Sequence, residues 1–91
     1  MTHYDKLQTL LLANSVFAMF SMMGYQATLD GPSEGGFHKY EVTIYWKDDA
    51  ERDLICFKSH GLLRDGDAYH SQYHNNPKLE GGWTTFEFFF E

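Results

Sequence analysis

The final stretch of the chain, GGWTTFEFFFE (residues 81–91), decides how the fold is read. After two glycines the side chains alternate with a strand's period of two, and Phe86, Phe88 and Phe90 fall on one face. The other row is Trp83, Thr85, Glu87 and Phe89. A solvated face calls for polar residues, yet two of these four are aromatic. One face of this strand therefore needs a hydrophobic core, and the other needs at least partial shelter.

Working outward, the clearest alternation lies in FHKYEVTIYW (residues 37–46). Tyr40, Val42, Ile44 and Trp46 alternate there with Glu41, Thr43 and Tyr45. YQATLD (25–30) reads as a shorter strand, and DGPSEGG (30–36) as the loop after it. KDDAE (47–51) reads as an acidic turn, and RDLICFKS (52–59) as a further strand in a hairpin with residues 37–46. In that strand Leu54 and Cys56 face one way while Ile55 and Phe57 face the other, which predicts a central position. Residues 59–82 show little periodicity. NNP and EGG break the chain there, and DAYHSQYH accommodates a single helical turn.

The N-terminal region predicts a helix over residues 3–23, about 31 Å long. Thr2 and Asp5 resemble the start of a capped helix, and Gly24 supplies a left-handed stop. Leu7, Leu11, Ala18 and Met22 share one side, and Leu12, Val16, Met19 and Met23 lie nearly opposite. Leu10 and Phe17 occupy a third flank, with Phe20 between it and the second. A helix apolar on most of its circumference is buried on more than one side, whereas one sheet covers only one. The run LLLANSVFAMFSMM is shorter than the ~20 residues of a membrane span and is interrupted by Asn14, Ser15 and Ser21. Lys6 beside Asp5 makes a poor basic leader. Neither a membrane segment nor a signal peptide is expected.

Ninety-one residues make one domain, 1–91. The expected fold is α+β: one long N-terminal helix packed on a three- or four-stranded antiparallel sheet, with a long irregular loop before the C-terminal strand. A chain of this length buries about two-thirds of its unfolded surface. With 18% of its residues aromatic, its apolar load exceeds what so small a core hides, which predicts self-association or a protein partner. Phe89, Tyr45, Phe17 and Phe20 are the candidate self-association residues. A symmetric homodimer is the simplest form, and the C-terminal strand is a candidate for edge pairing across its axis.

Thirteen acidic against seven basic residues give a formal charge of −6. That balance disfavours nucleic acid and anionic lipid and suits a protein partner with a basic surface. Asp48, Asp49, Glu51 and Asp53, with Tyr69 and Tyr73, form the candidate partner-binding set. Cys56 is the single cysteine, so no internal disulfide forms. Its apolar setting predicts an inert thiol, and the reducing cytoplasm is the expected compartment.

Catalytic signals are sparse. On a helical turn His70 and His74 would project from one side and, with Asp65 or Asp67, make a candidate metal site. The residues between them, Ser71, Gln72 and Tyr73, lack the glutamate of the H-E-x-x-H hydrolases. RDGDAYH (64–70) lacks the later ligands of a calcium loop. No phosphate loop and no G-x-S-x-G setting occur. No catalytic residue and no cofactor is expected. Size, acidity and aromatic richness are similar to those of compact inhibitors encoded by phages and mobile elements, including anti-defence and immunity proteins; this is a likeness of class, not of motif. The expected function is a non-catalytic binding protein that blocks or adapts a larger protein. The alternatives are a small metal enzyme or sensor built on the histidine pair, and a structural assembly subunit.

Overall fold

The computed structural model describes residues 4–32, 38–64, 67–74 and 81–90, with 69–74 as backbone. The elements run α1 (Lys6–Met22), β1 (Ala27–Asp30), β2 (Lys39–Trp46), α2 (Asp49–Leu62), β3 (Tyr69–His74) and β4 (Gly82–Phe89). The architecture is α+β, as the hydrophobic periodicity predicts.

α1 starts where its backbone finds side-chain partners. The Asp5 carboxylate accepts from the Gln8 N–H at 2.7 Å, and the Gln8 side chain accepts from the Asp5 N–H at 3.1 Å. This reciprocal capping satisfies two orphan donors and sets the first turn at Lys6. Met23 closes the helix, and Gly24 follows at φ +95°, a conformation that favours glycine. Thr9, Ala13, Val16 and Phe20, spaced four, three and four apart, form the buried stripe. Thr9 donates its hydroxyl back to the Asp5 carbonyl at 2.8 Å, so its oxygen enters the interface already satisfied.

The sheet order is β1-β2-β4-β3, with each neighbouring pair antiparallel. Its register sets Val42 beside Phe86, Tyr40 beside Phe88, and Leu29 beside Val42. These residues face α1. Phe20 stacks on Phe86 with ring centroids 6.4 Å apart and meets Tyr25 edge-on at 6.0 Å. Phe86 and Phe88 are fully enclosed, each contributing about 1.5–3 kcal/mol relative to exposure. Phe90 packs against Tyr40 and His38, and its N–H donates to the His38 carbonyl. The Phe86–Phe88–Phe90 row thus meets the core, as its alternation predicts.

Residues 52–59 are not a strand, and no hairpin joins them to β2. They form the middle of α2. Asp48 caps this helix by accepting from the Glu51 N–H at 2.9 Å. Ile55 and Ser59, one turn apart, are its buried residues. A run such as Leu54-Ile55-Cys56-Phe57 carries no alternation and fits either element; the cap and the tertiary contacts decide for helix. Ile55 joins the core, whereas Phe57 points away from it and is 73% exposed.

β4 lies between β2 and β3, so both of its edges are hydrogen-bonded. Edge pairing of the C-terminal strand across a dimer axis is therefore excluded. The connection after α2 contributes β3, whose register runs from Tyr69 opposite Glu87 to His74 opposite Gly82. Asp67 anchors the start of that connection: its carboxylate accepts from the Arg64 N–H at 2.8 Å and from the Tyr4 hydroxyl at 3.1 Å. Among the described residues, no helix is long and apolar enough to cross a membrane.

Candidate functional site

Both helices lie on one side of the sheet, because Ile55 of α2 belongs to the same core as Val16 and Phe20 of α1. Among the described residues, no helix lies on the opposite side of the sheet. Strand alternation dictates what it displays. Each core residue of β2 and β4 is followed by one that faces outward: Lys39, Glu41, Thr43 and Tyr45 on β2, and Trp83, Thr85, Glu87 and Phe89 on β4.

The register assembles these into rows. Tyr45 lies opposite Trp83, their rings 6.4 Å apart and tilted by 50°. Thr43 lies opposite Thr85, the two hydroxyl oxygens 3.2 Å apart. Glu41 lies opposite Glu87 and, on its other side, opposite Asp30 of β1. Like charges directly opposite one another destabilise a sheet. Lys39 offsets part of this: its ammonium is 2.9 Å from Glu41 and 3.6 Å from Glu87, and it sits 5.9 Å from the centre of the Phe89 ring. The hydrogen bond to Glu41 is the main cause holding the Lys39 pKa above its ordinary value. The face thus combines three aromatic rings, a threonine row and three carboxylates, two of them beside Lys39.

A cleft of about 420 Å³ adjoins this face through Tyr45. It opens between the end of α1 and the start of α2, and Met23, Tyr25, Gln26, Lys47 and Glu51 contribute to its walls. Burial raises the pKa of the Tyr25 phenol, and the carboxylates of Glu51 and Asp48 raise it further. The same carboxylates make the local potential negative.

The residues singled out in the sequence fall in different places. Asp48, Asp49 and Glu51 form the first turn of α2 rather than a hairpin tip. There Asp48 caps, and Asp49 pairs with Arg52 at 3.2 Å. Asp53 also meets Arg52, at 3.3 Å. Carboxylates at a helix N-terminus are favoured by its dipole, so this cluster supports the helix before it meets any partner. Tyr45 and Phe89 lie on the face turned away from the helices, each 39% exposed. Phe17 packs partly buried against the core, and Phe20 is fully enclosed and offers no surface to a second chain. Tyr69 and Tyr73 hold register positions opposite Glu87 and Trp83; their side chains lie outside the described residues.

The metal candidate loses its premise of a shared helical face. His70 and His74 lie on a strand, where residues four apart are separated by about 13 Å. Asp65 lies outside the described residues, and Asp67 is engaged by Arg64 and Tyr4. Among the described residues, no group of three or more His, Cys, Asp or Glu is arranged to hold a metal ion. Cys56 lies 3.9 Å from His60 through Sγ and Nε2, one turn apart on α2.

Asp30, Glu41, Glu87 and Trp83 were not singled out from sequence. The signal was present as the outward residues of two alternating strands, but the rows exist only once β2 and β4 are known to be neighbours. No protein-family model matches the chain, no curated protein aligns with it significantly, and no solved structure matches it significantly.

Proposed function

We propose that this chain is a small non-catalytic binding protein that blocks or adapts a larger protein with a basic surface. In this reading it acts in the cytoplasm as a homodimer, and the face of the sheet turned away from the helices is its recognition surface. The observation that carries the reading is the row Asp30–Glu41–Glu87, which holds more negative charge than Lys39 offsets, set beside the Tyr45–Trp83 pair. A cationic side chain from a partner relieves the repulsion within the row. Arginine suits it best, because its planar guanidinium pairs with carboxylates and stacks on aromatic faces. Tyr and Trp are the residue types that most often dominate binding energy at interfaces.

Capture from a lysate of the source cells, read by mass spectrometry, supplies the partner, and calorimetry with the purified partner tests the surface. Trp83→Ala and the pair Glu41→Gln/Glu87→Gln are expected to weaken binding at least about tenfold each, as interface anchors do. Raised salt is expected to slow association. Equal affinity in all three proteins, or a partner without a basic patch, overturns the reading.

A further inference from the structure

We infer that the outer face of α2 is a self-association surface, on which a second copy of the chain packs antiparallel about a two-fold axis. The inference rests on the reading of the protein as a dimeric binding module, and it locates the dimer contact. With Ile55 and Ser59 turned inward, the far side of α2 carries Ala50, Leu54, Phe57 and Gly61. At 100° per residue these four fall within an arc of about 60°. All four are exposed, Phe57 at 73%. Nothing lies near a side chain added at Gly61. A contiguous apolar seam on the solvent side of a helix is a candidate contact surface.

The occupant follows from the spacing. Four, three and four is the same read from either end, so the seam is complementary to its own inverted copy. A two-fold axis between Ile55 and Cys56 sets Leu54 against Phe57 of the second copy, and Ala50 against Gly61 of the second copy. Large side chains then meet at the centre and small ones at the ends, which lets the helices approach evenly. This is the d-a-d-a pattern of a heptad. The flanking positions agree. On one side are Glu51 and Lys58, and on the other Asp53 and His60. Antiparallel packing brings like flanks together, so Glu51 meets Lys58 of the second copy, while Asp53, already paired with Arg52 of its own chain, lies near His60 of the second copy. A parallel pair would instead set the acidic first turns of both helices side by side, where Asp48, Asp49 and Glu51 repel and the helix dipoles are aligned.

Helices of 14 residues offer a patch no larger than the low end of the roughly 1,200–2,000 Å² of standard interfaces, so the expected dimer is a weak one. α2 lies on the helix side of the sheet, which leaves the opposite sheet face available in both copies.

Sedimentation velocity of the full chain from low to high micromolar concentration tests the inference. Wild type is expected to pass from monomer to dimer. Phe57→Glu is expected to weaken dimerisation at least about tenfold with unchanged circular dichroism, since Phe57 takes no part in the core. Lys58→Glu is expected to weaken it too, and adding Glu51→Lys to restore it; restoration by Asp53→Lys instead indicates a parallel pair and overturns the arrangement. A wild-type chain that stays monomeric throughout overturns the dimer, and a dimer indifferent to Phe57→Glu overturns this surface. Partner binding by the Phe57→Glu monomer reads that sheet face separately, so the two readings fail independently.

Discussion

The indole Nε1 of Trp46 donates to the Thr84 hydroxyl at 3.0 Å across the β2–β4 boundary, inside the core. The two residues are diagonal neighbours, since Trp46 lies opposite Gly82 and Thr84 opposite Ile44. This bond lets a polar atom enter the apolar side of the sheet without penalty. Thr84→Val keeps the shape and removes this acceptor of the indole N–H. The expected loss is about 1–3 kcal/mol by chemical denaturation. Thr84→Ser keeps the acceptor and is expected to lose less.

α2 is held by little. Ile55 is its one buried apolar side chain among the described residues. Ile55→Ala is expected to cost about 2–5 kcal/mol, whereas Phe57→Ala, on the outer side, is expected to stay within about 0.5 kcal/mol of wild type in the monomer. Urea midpoints of the two variants at low protein concentration check this contrast.

The carboxylates of the Asp48 cluster act on the fold first. Asp48→Ala removes the cap of α2 and is expected to cost about 1 kcal/mol, while Asp48→Ser restores most of it. Thermal melts of the two variants decide. A partner-binding defect in Asp48→Ala that vanishes in Asp48→Ser belongs to helix stability rather than to charge recognition.

Two glycines with φ near +95° differ in surroundings. At Gly24 an added Cβ meets nothing within 4 Å, but at Gly81 it comes 2.8 Å from the Trp46 carbonyl oxygen. Gly24→Ala is expected to cost only the backbone strain, about 1–2 kcal/mol. Gly81→Ala adds a backbone clash and is expected to cost more. Denaturant midpoints that rank the two variants in the reverse order contradict this.

Alkaline pH is expected to weaken the fold. Tyr4 is held above its ordinary pKa of 10.0 mainly by its bond to Asp67, and Tyr25 mainly by burial. Lys39 is held above 10.5 mainly by its bond to Glu41. Groups whose folded pKa is raised favour the folded state in their protonated form. Their contribution is complete below the ordinary values and is lost as pH rises through the folded ones. Stability is therefore expected to be flat between pH 8 and 9 with respect to these groups and to fall above pH 10. Asp67→Asn and Glu41→Gln are each expected to flatten that fall, as seen in denaturation midpoints against pH.

The elements differ in how far they could be read in advance. β2 and β4 were legible because Tyr40-Val42-Ile44-Trp46 and Phe86-Phe88-Phe90 repeat every second residue. α1 was legible through its length and Gly24, but its starting point was not. Asp5 wins the capping role because Gln8 answers it three residues later. α2 was missed because four successive apolar residues mask its period. Its usable signal was Asp48 followed three residues later by Glu51, a pattern that suits either an acidic turn or a helix start. The candidate site was least legible. Nothing local in β2 states that Glu41 lies between Asp30 and Glu87, since opposition across strands depends on which strands are neighbours.

By itself the amino-acid order determined the α+β class and the two strands, β2 and β4, that meet the core, because both follow from short-range periodicity and composition. Only the tertiary structure decided that residues 49–62 are helical, that β4 is central, and that three carboxylates and three aromatic rings share the face of the sheet turned away from the helices. The physical reason is that strand neighbours and helix docking are chosen by burial of side chains far apart in the chain, a global minimum that no local pattern encodes.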